Sequence, residues 1–220
     1  MAHELTIREN GKVEMAYVGE LPWHGLVSEL QPGASIEEWI EAAGMDWRVQ
    51  RARVRYAVER GATPDCYREY DNQVVLFRSD DKAPLGIASD AFQIVQPRDT
   101  IEFFRDLVGS AGGTLNTAGT MFGGRKFWAM ANFGEESAVD DPRDTVRRNL
   151  LLATACDGSM ATTGTWIATR VVCNNTLQIG LHESAALRVK VYHRSKFEAK
   201  AVKAELGIEQ AQSAFDRWRT

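Results

Sequence analysis

The stretch TLNTAGTMFGGRKFWAMANF, residues 114–133, consists of two apolar segments around a pair of glycines. Gly123 and Gly124 separate segment 114–122 from segment 125–133. Glycine adopts the positive φ angles that tight β-turns require, so two glycines between β-prone segments are a strong hairpin signal. We therefore predict an antiparallel hairpin at this point of the chain.

Apolar segments and turns alternate on both sides of that hairpin. After it, segments 145–155 and 163–173 are connected by Cys156-Asp157-Gly158-Ser159, which has the composition of a turn. Before it, predicted strands cover residues 46–59, 73–78 and 85–95. Because hairpins dominate over β-α-β units, the sequence predicts an α+β protein with a mostly antiparallel, meandering β-sheet.

Three helices are predicted, and we expect them to pack on one face of the sheet. Ser35 is followed three residues later by Glu38, which is the spacing of a capping box, and Gly44 ends this helix. Pro97 occupies the first turn of the second helix, and the last helix lies in the C-terminal segment. One domain is expected, with an N-terminal arm over residues 1–34, an α+β core over 35–194 and C-terminal helices over 195–220.

The two halves of the chain carry opposite charge. Residues 1–110 contain 12 Lys and Arg against 19 Asp and Glu, whereas residues 111–220 contain 14 against 11. Segment 143–203 has a larger excess of basic residues than the C-terminal half as a whole, with ten basic residues against four acidic ones. Clustered Lys and Arg with few acids are the electrostatic footprint of a polyanionic partner, although a solvated protein face has the same composition.

Three arginines alternate along the predicted strand 46–59. Arg51, Arg53 and Arg55 are predicted to project from one side of the strand, with Ala52, Val54, Tyr56 and Val58 on the other. Every second residue of a strand points the same way, so the arginines lie about 7 Å apart. That distance approximates the spacing of successive phosphates on a single strand. The ladder therefore predicts a phosphate contact, and a solvated strand face is the alternative.

Two further groups of polar residues are candidates for contact with a polyanion. Arg125 and Lys126 lie at the tip of the predicted hairpin. Arg170 precedes an apolar segment that ends in Asn174 and Asn175. Adjacent amides suit a turn or a helix cap, and they equally suit hydrogen bonds to a nucleic-acid backbone or base.

The sequence does not contain a recognisable catalytic or metal-binding pattern. The four histidines are scattered, without the paired spacing of a zinc site. The three cysteines, Cys66, Cys156 and Cys173, are an odd number at wide spacing, which favours reduced structural thiols. Gly158-Ser159 lacks the nucleophile-elbow pattern of hydrolases. We therefore expect a protein that is not an enzyme and that uses no metal or cofactor.

The composition is that of an ordinary globular protein, at 44% hydrophobic and 25% charged residues with a net charge of −4. A membrane span needs about 18 or more consecutive apolar residues, and no window of the sequence approaches this. The N-terminal residues lack the apolar core of a secretion signal. These features predict a cytoplasmic protein without membrane contact.

Several segments resemble one known family. They are Pro22-Trp-His-Gly25, residues 85–96 (LGIASDAFQIVQ), Asp157-Gly-Ser159, residues 170–177 (RVVCNNTL) and residues 188–194 (RVKVYHR). Together they resemble the phage/plasmid-like protein family of bacterial mobile elements, which is domain of unknown function 932. The resemblance implies a phage, prophage or plasmid origin in a bacterial host cell, and it does not imply a particular activity.

Two functional hypotheses follow. The first is a single-stranded DNA-binding or annealing and recombination accessory protein that acts as a homo-oligomer, with Trp128, Trp166 or Tyr192 available to stack on bases. The alternative is a non-enzymatic phage effector that binds and blocks a host defence or replication protein through the acidic N-terminal half. The predicted nucleic-acid-binding residues are Arg51, Arg53, Arg55, Arg125, Lys126, Arg147, Arg148, Arg170, Asn174, Asn175, Arg188, Lys190 and Arg194.

Overall fold

The structure is a computed structural model that describes residues 4–23, 25, 27–58, 66–105, 113–137, 145–183, 188–194, 197–198 and 202, without the side chains of 135–137, 145–147 and 183. The described strands are β1 (Met15–Tyr17), β2 (Ser28–Glu29), β3 (Val49–Ala57), β4 (Tyr67–Arg78), β5 (Pro84–Ser89), β6 (Thr114–Met121), β7 (Lys126–Ser137), β8 (Thr145–Ala155), β9 (Thr162–Ile167) and β10 (Arg188–Val191). The described helices are α1 (Ile36–Ala42), α2 (Pro97–Glu102) and α3 (Asn174–Glu183). The predicted α+β class is confirmed.

A seven-stranded sheet forms the centre of the fold, in the order β10-β9-β8-β7-β6-β1-β2. Strands β6 to β9 form the predicted antiparallel meander, and β10 pairs antiparallel with β9. Among the described strands of this sheet, β1 and β2 alone pair in parallel. The hairpin between β6 and β7 turns through Phe122–Gly124, where Gly123 and Gly124 have φ angles of 70° and 92°. The glycine pair therefore makes the turn that the sequence predicts.

The N-terminal arm contributes two strands to this sheet. β1 pairs with β6 on one side and with β2 on the other. Met15, Ala16 and Tyr17 are all buried, because β1 lies inside the sheet with both of its faces covered. The arm is therefore part of the sheet, and the predicted boundary at residue 34 stays a prediction.

A second, three-stranded antiparallel sheet has the order β3-β4-β5. β4 begins at Tyr67, six residues before its predicted start, and β5 ends at Ser89, six residues before the predicted end of its strand. The strand predicted over 85–95 was expected to break at a turn or bulge at Asp90, and the chain does turn there, with the Asp90 backbone N–H donating to the Asn72 carbonyl. The continuation of the strand beyond this turn is wrong.

The larger sheet is covered on both faces. Leu150 and Leu152 of β8 belong to the core that also contains Trp39 of α1 and Ile101 of α2. Leu151, between them on the same strand, points the opposite way and packs with Leu177 of α3. Helices α1 and α2 therefore share one face, as predicted, and α3 lies on the other.

Local chemistry explains both ends of α1 and the start of α2, the two predicted helices that the structure describes. The Ser35 and Glu38 side chains form the reciprocal capping box at the start of α1, and Gly44 has a φ of 67° just beyond its end. Pro97 is the first residue of α2.

None of the helices in the described part of the chain has the length and apolar character that a membrane span requires.

Helix α3 and strand β10 were not predicted. The predicted strand 163–173 is wrong over its last six residues, because β9 ends at Ile167. The Thr176 hydroxyl accepts hydrogen bonds from the Val172 and Cys173 backbone N–H groups and so closes the turn into α3. Of the predicted C-terminal helical segment, the structure describes only residues 197, 198 and 202.

Candidate nucleic-acid interface

Strands β3 and β4 extend beyond the rest of the smaller sheet as a two-stranded ribbon. β5 pairs with β4 only from Gln73 to Phe77, so the outer parts of β3 and β4 pair only with each other. We call residues 50–57 of β3 and 67–73 of β4 the ribbon. Residues 50–53 pair with residues 74–77 of β4, which also pair with β5, so Arg51 and Arg53 lie beside the three-stranded part and Arg55 lies in the two-stranded part. All of its residues are exposed except Val54, which is half-buried. An isolated two-stranded hairpin is marginal in water, so the body of the smaller sheet anchors the ribbon.

The predicted arginine ladder lies on one face of this ribbon. Arg53 and Arg55 both contact the Glu69 carboxylate, with nitrogen-to-oxygen distances of 3.7 and 2.9 Å. Arg51 donates a hydrogen bond to the Asp90 carbonyl oxygen at 3.3 Å. Exposed ion pairs of this kind contribute about 1 kcal/mol or less, so they compete only weakly with a phosphate.

The ladder continues the row of residues that faces the core. Arg51 is paired with Leu76, and Arg53 with Val74, and both of these partners are buried. The expected amphipathic division, with an apolar row in the core and an arginine row in solvent, is wrong for β3. Ala52 and Tyr56 are exposed as well, because the ribbon projects past the edge of the core.

Three tyrosines and a fourth arginine complete the ribbon, and of these the sequence pattern placed only Tyr56, in the apolar row of the strand. Tyr56, Tyr67 and Tyr70 are 47%, 68% and 53% exposed. Tyr56 lies opposite Arg68 in the register, and Ala57 lies opposite Tyr67. The described ribbon thus carries four arginines against two acidic residues, Glu69 and Asp71. Exposed aromatic rings beside arginines are the elements that bind single strands without sequence preference.

A bulge in β4 bends the ribbon between its two halves. The register shifts between Arg53, which pairs with Val74, and Arg55, which pairs with Glu69. Within the extra residues of β4, Asn72 has a φ of 63°. Bulges of this kind redirect the side chains that follow them.

The predicted residues at the other hairpin tip lie around one aromatic ring. The Lys126 ammonium is 5.0 Å, and the Arg125 guanidinium 5.9 Å, from the centre of the Phe122 ring. Arg125 also donates from Nε to the Phe122 carbonyl oxygen at 3.0 Å. Arg125 is exposed and Lys126 is half-buried.

Two of the three aromatic residues expected to stack on bases are used inside the protein. Trp128 is fully buried and donates from Nε1 to the Thr117 hydroxyl, so the expectation that it stacks on a base is wrong. Trp166 is half-buried, 5.3 Å from the Phe133 ring, with the Arg148 guanidinium 5.2 Å from its centre. Tyr192 is exposed.

Arg170 holds the N-terminal arm against β6. Its Nε donates to the Asn116 Oδ1 at 2.6 Å, and its terminal nitrogens donate to the Glu20 and Val18 carbonyl oxygens at 2.5 and 3.1 Å. Asn174 and Asn175 are the first two residues of α3, so they lie inside the helix and do not precede it as the turn or cap that the sequence suggested. Asn175 is exposed.

The remaining predicted residues lie on β8 and β10. The Arg147 side chain is outside the described part of the structure. On β10, Lys190 is exposed and Arg188 is half-buried, with Arg194 exposed just beyond the strand. The thirteen predicted residues therefore fall into separate groups. Among the side chains that the structure describes, those of the ribbon are the ones that bring several arginines and aromatic rings together.

A family model described as Domain of unknown function (DUF932) matches residues 84–220, which is more than half of the chain. The protein belongs to this family. No curated protein and no solved structure matches it. The matched DUF932 region begins at β5, so it includes the tip of the β6–β7 hairpin and β10. The ribbon precedes this region in the sequence and is not part of it.

Cys156 of this DUF932 protein lacks the features of a nucleophile. Burial, followed by the nearby Asp157 carboxylate, raises the pKa of the Cys156 thiol to about 12. Its Sγ lies 3.5 and 3.4 Å from the carbonyl oxygens of Gly124 and Arg125. A thiol is reactive as its thiolate, so Cys156 is inert near neutral pH. Among the described residues, no group of three or more His, Cys, Asp or Glu could hold a metal ion.

Proposed function

We propose that this protein binds single-stranded DNA along the ribbon. The observation that carries the proposal is the concentration of Arg51, Arg53 and Arg55 with three exposed tyrosines on a projecting pair of strands. Arginines contact the phosphates of a strand while aromatic rings stack on its bases, and the two together hold it without reading its sequence.

The exposure of both ribbon faces supports a single strand over a duplex. The arginine row and Tyr67 lie on one face, whereas Tyr56 and Arg68 lie on the other. Bases in a duplex are stacked on each other and offer no open π-face, whereas bases in a single strand do. Tyrosines on the ribbon therefore add affinity for single strands specifically.

The cellular role that we propose is annealing or recombination on a bacterial mobile element. The resemblance to phage/plasmid-like proteins supports that context, and the site of action that we propose is the cytoplasm of a bacterial host cell. We further propose that the protein acts as a homo-oligomer, since a single ribbon spans few nucleotides. Oligomerisation would align many ribbons along one strand and raise the overall affinity.

A fluorescence anisotropy titration tests the proposal. Labelled single-stranded and duplex oligonucleotides are titrated at two salt concentrations, with light scattering to measure oligomer size. The double variant Arg53→Ala/Arg55→Ala should weaken binding to all single strands alike and lower the slope of log K against log salt by about 0.7 per lost phosphate contact.

The matched control removes two other exposed arginines. Arg98→Ala/Arg105→Ala deletes the same charge and also breaks surface ion pairs, here to Glu37 and Glu102 on the α1–α2 surface. It should leave affinity and salt slope near those of the wild type. Equal losses in the two double variants, or no binding by the wild type at low salt, would refute the ribbon assignment.

A second candidate function is binding of a host protein through the arm. The observation that favours it is the exposure of Leu21 and Trp23 next to each other on the arm, because large exposed apolar groups mark protein contacts. Trp23→Ala should then abolish capture of a host protein without changing oligomer size. Capture that is unchanged in this variant would remove the arm from consideration.

A further inference from the structure

A cavity of about 290 Å³ opens where the arm leaves β1, at the ends of β6 and β7. Val18 and Leu115 supply apolar lining, and Thr114, Asn116 and Asn132 supply polar groups. Gly19, Glu20 and Arg170 complete the lining, so it holds one acidic and one basic residue. Small-molecule sites combine apolar walls with a few fixed polar groups and occupy about 300–1,000 Å³. This cavity lies at the small end of that range.

The two amide side chains of the cavity are held in defined orientations. The Asn116 Oδ1 accepts a hydrogen bond from the Arg170 Nε. This contact fixes the orientation of the amide, so its Nδ2 group is the donor that it offers to a ligand. Asn132 donates from Nδ2 to the Asn149 Oδ1 at 3.1 Å and accepts from the Gly134 backbone N–H at 3.0 Å.

The supporting residues are fixed in turn. Asn149 is fully buried and donates from Nδ2 to the Ala168 carbonyl oxygen at 3.1 Å. Arg170 donates to the Val18 and Glu20 carbonyl oxygens in addition to Asn116. Preorganised polar groups of this kind lose little freedom when a ligand binds, which favours affinity.

The chemistry of the cavity suits a neutral ring with both donors and acceptors. Asn116 and Thr114 offer donors, and each Asn132 polar atom has hydrogen-bonding capacity left after its one contact. The Arg170 guanidinium already donates to three acceptors, two of them backbone carbonyls, so the site is not built as an anion clamp. Mixed donors and acceptors on a planar edge are the signature of a nucleobase, and asparagine amides are complementary to such edges.

We infer that this cavity accepts one nucleobase. The inference rests on the proposed function for its ligand class, because a nucleobase is the part of a DNA strand that such a cavity would take. The base would lie against Val18 and Leu115 and direct its polar edge to Asn116 and Asn132. A cavity of this volume holds a base or nucleoside and excludes a dinucleotide cofactor.

The test uses ligand-observed NMR titrations of the full chain with the four 2′-deoxynucleosides, with deoxyribose as the control ligand. At least one nucleoside should bind saturably, and deoxyribose should neither bind nor compete. Asn116→Asp keeps the contact to Arg170 and removes the Nδ2 donor, so it should weaken nucleoside binding about tenfold, the value of one hydrogen bond. Gln178→Glu, the same amide-to-carboxylate change at an exposed residue of α3, should leave binding unchanged.

A second variant keeps the inference falsifiable if Asn116→Asp alters the fold. Thr114→Phe adds a ring at the lining and should abolish nucleoside binding while circular dichroism stays that of the wild type. Saturable binding that survives in Thr114→Phe, or absence of saturable binding by the wild type, would overturn the inference.

Failure of the cavity and failure of the ribbon are distinguishable. Arg53→Ala/Arg55→Ala alters the ribbon and should leave nucleoside affinity unchanged. Nucleoside binding with no strand binding by the wild type would support the cavity and refute the ribbon. Strand binding that depends on Arg53 and Arg55, without any nucleoside binding, would support the ribbon and refute the cavity.

Discussion

Arg78 at the end of β4 and Glu14 before β1 form a two-pronged ion pair in the interior, with nitrogen-to-oxygen distances of 3.0 and 2.6 Å. Both side chains are buried, and the Arg78 guanidinium also stacks 4.2 Å above the Trp47 ring. Burial alone would lower the pKa of this guanidinium, but hydrogen bonds to Asp80 and Glu14 raise it. The pair joins the sheet that carries the ribbon to the arm, so it holds the two sheets together.

Glu14→Gln should destabilise the protein strongly, because it leaves the buried Arg78 charge without its buried carboxylate partner. The loss in the free energy of unfolding should be about 3 kcal/mol, the lower end for a broken buried pair, since Asp80 remains within reach. Urea denaturation measures it. Glu69→Gln, which breaks only exposed pairs with Arg53 and Arg55, is the control and should cost less than about 1 kcal/mol. Similar losses in the two variants would contradict the role of Glu14.

Gly124→Ala should destabilise more than Gly123→Ala. Both glycines have positive φ, which alone costs about 1 kcal/mol for alanine. A Cβ at Gly124 would also lie 2.8 Å from both the Arg78 Nη1 and the Trp47 ring, whereas a Cβ at Gly123 would meet nothing within 4 Å. The expected total for Gly124→Ala is about 3 kcal/mol. Thermal and urea unfolding of the two variants measure their losses in the free energy of unfolding. Equal losses would show that a Cβ at Gly124 does not crowd the Arg78 side chain.

The structure could be predicted from sequence where local chemistry decides it. The turn at Gly123 and the capping box at Ser35 depend on residues within a few positions, and both are observed. The start of β4 at Tyr67 was missed because YREYDN has no apolar alternation and becomes a strand only by pairing with β3. Tyr67 and Tyr70 of the ribbon were missed for the same reason. The Glu14 and Arg78 pair joins residues 64 positions apart, a separation that no sequence pattern marks.

Cys156 should resist alkylation in the folded protein. Its raised pKa and its burial leave little thiolate and little access, whereas Cys66 is half-buried next to β4. Iodoacetamide at pH 8, followed by peptide mass spectrometry, should modify Cys66 first and Cys156 only after urea is added. Modification of Cys156 at the same rate with and without urea would contradict its assignment as an inert core thiol.

Tyr67→Leu should weaken single-strand binding because it removes a stacking ring and keeps an apolar side chain. Stacking on one base contributes about 1–3 kcal/mol, so the expected loss is about tenfold in Kd. Tyr67→Phe keeps the ring and should bind like the wild type. The anisotropy titration measures both, and an unchanged Kd in Tyr67→Leu would show that this ring does not contact the strand.

Photo-crosslinking of a single-stranded oligonucleotide to the full-length wild-type chain, with mass spectrometric mapping of the linked peptides, tests the central claim most directly. The account predicts adducts on the ribbon peptides that contain Tyr56, Tyr67 or Tyr70, and their loss at high salt. Adducts confined to peptides outside residues 50–57 and 67–73, or no adducts at low salt, would contradict it.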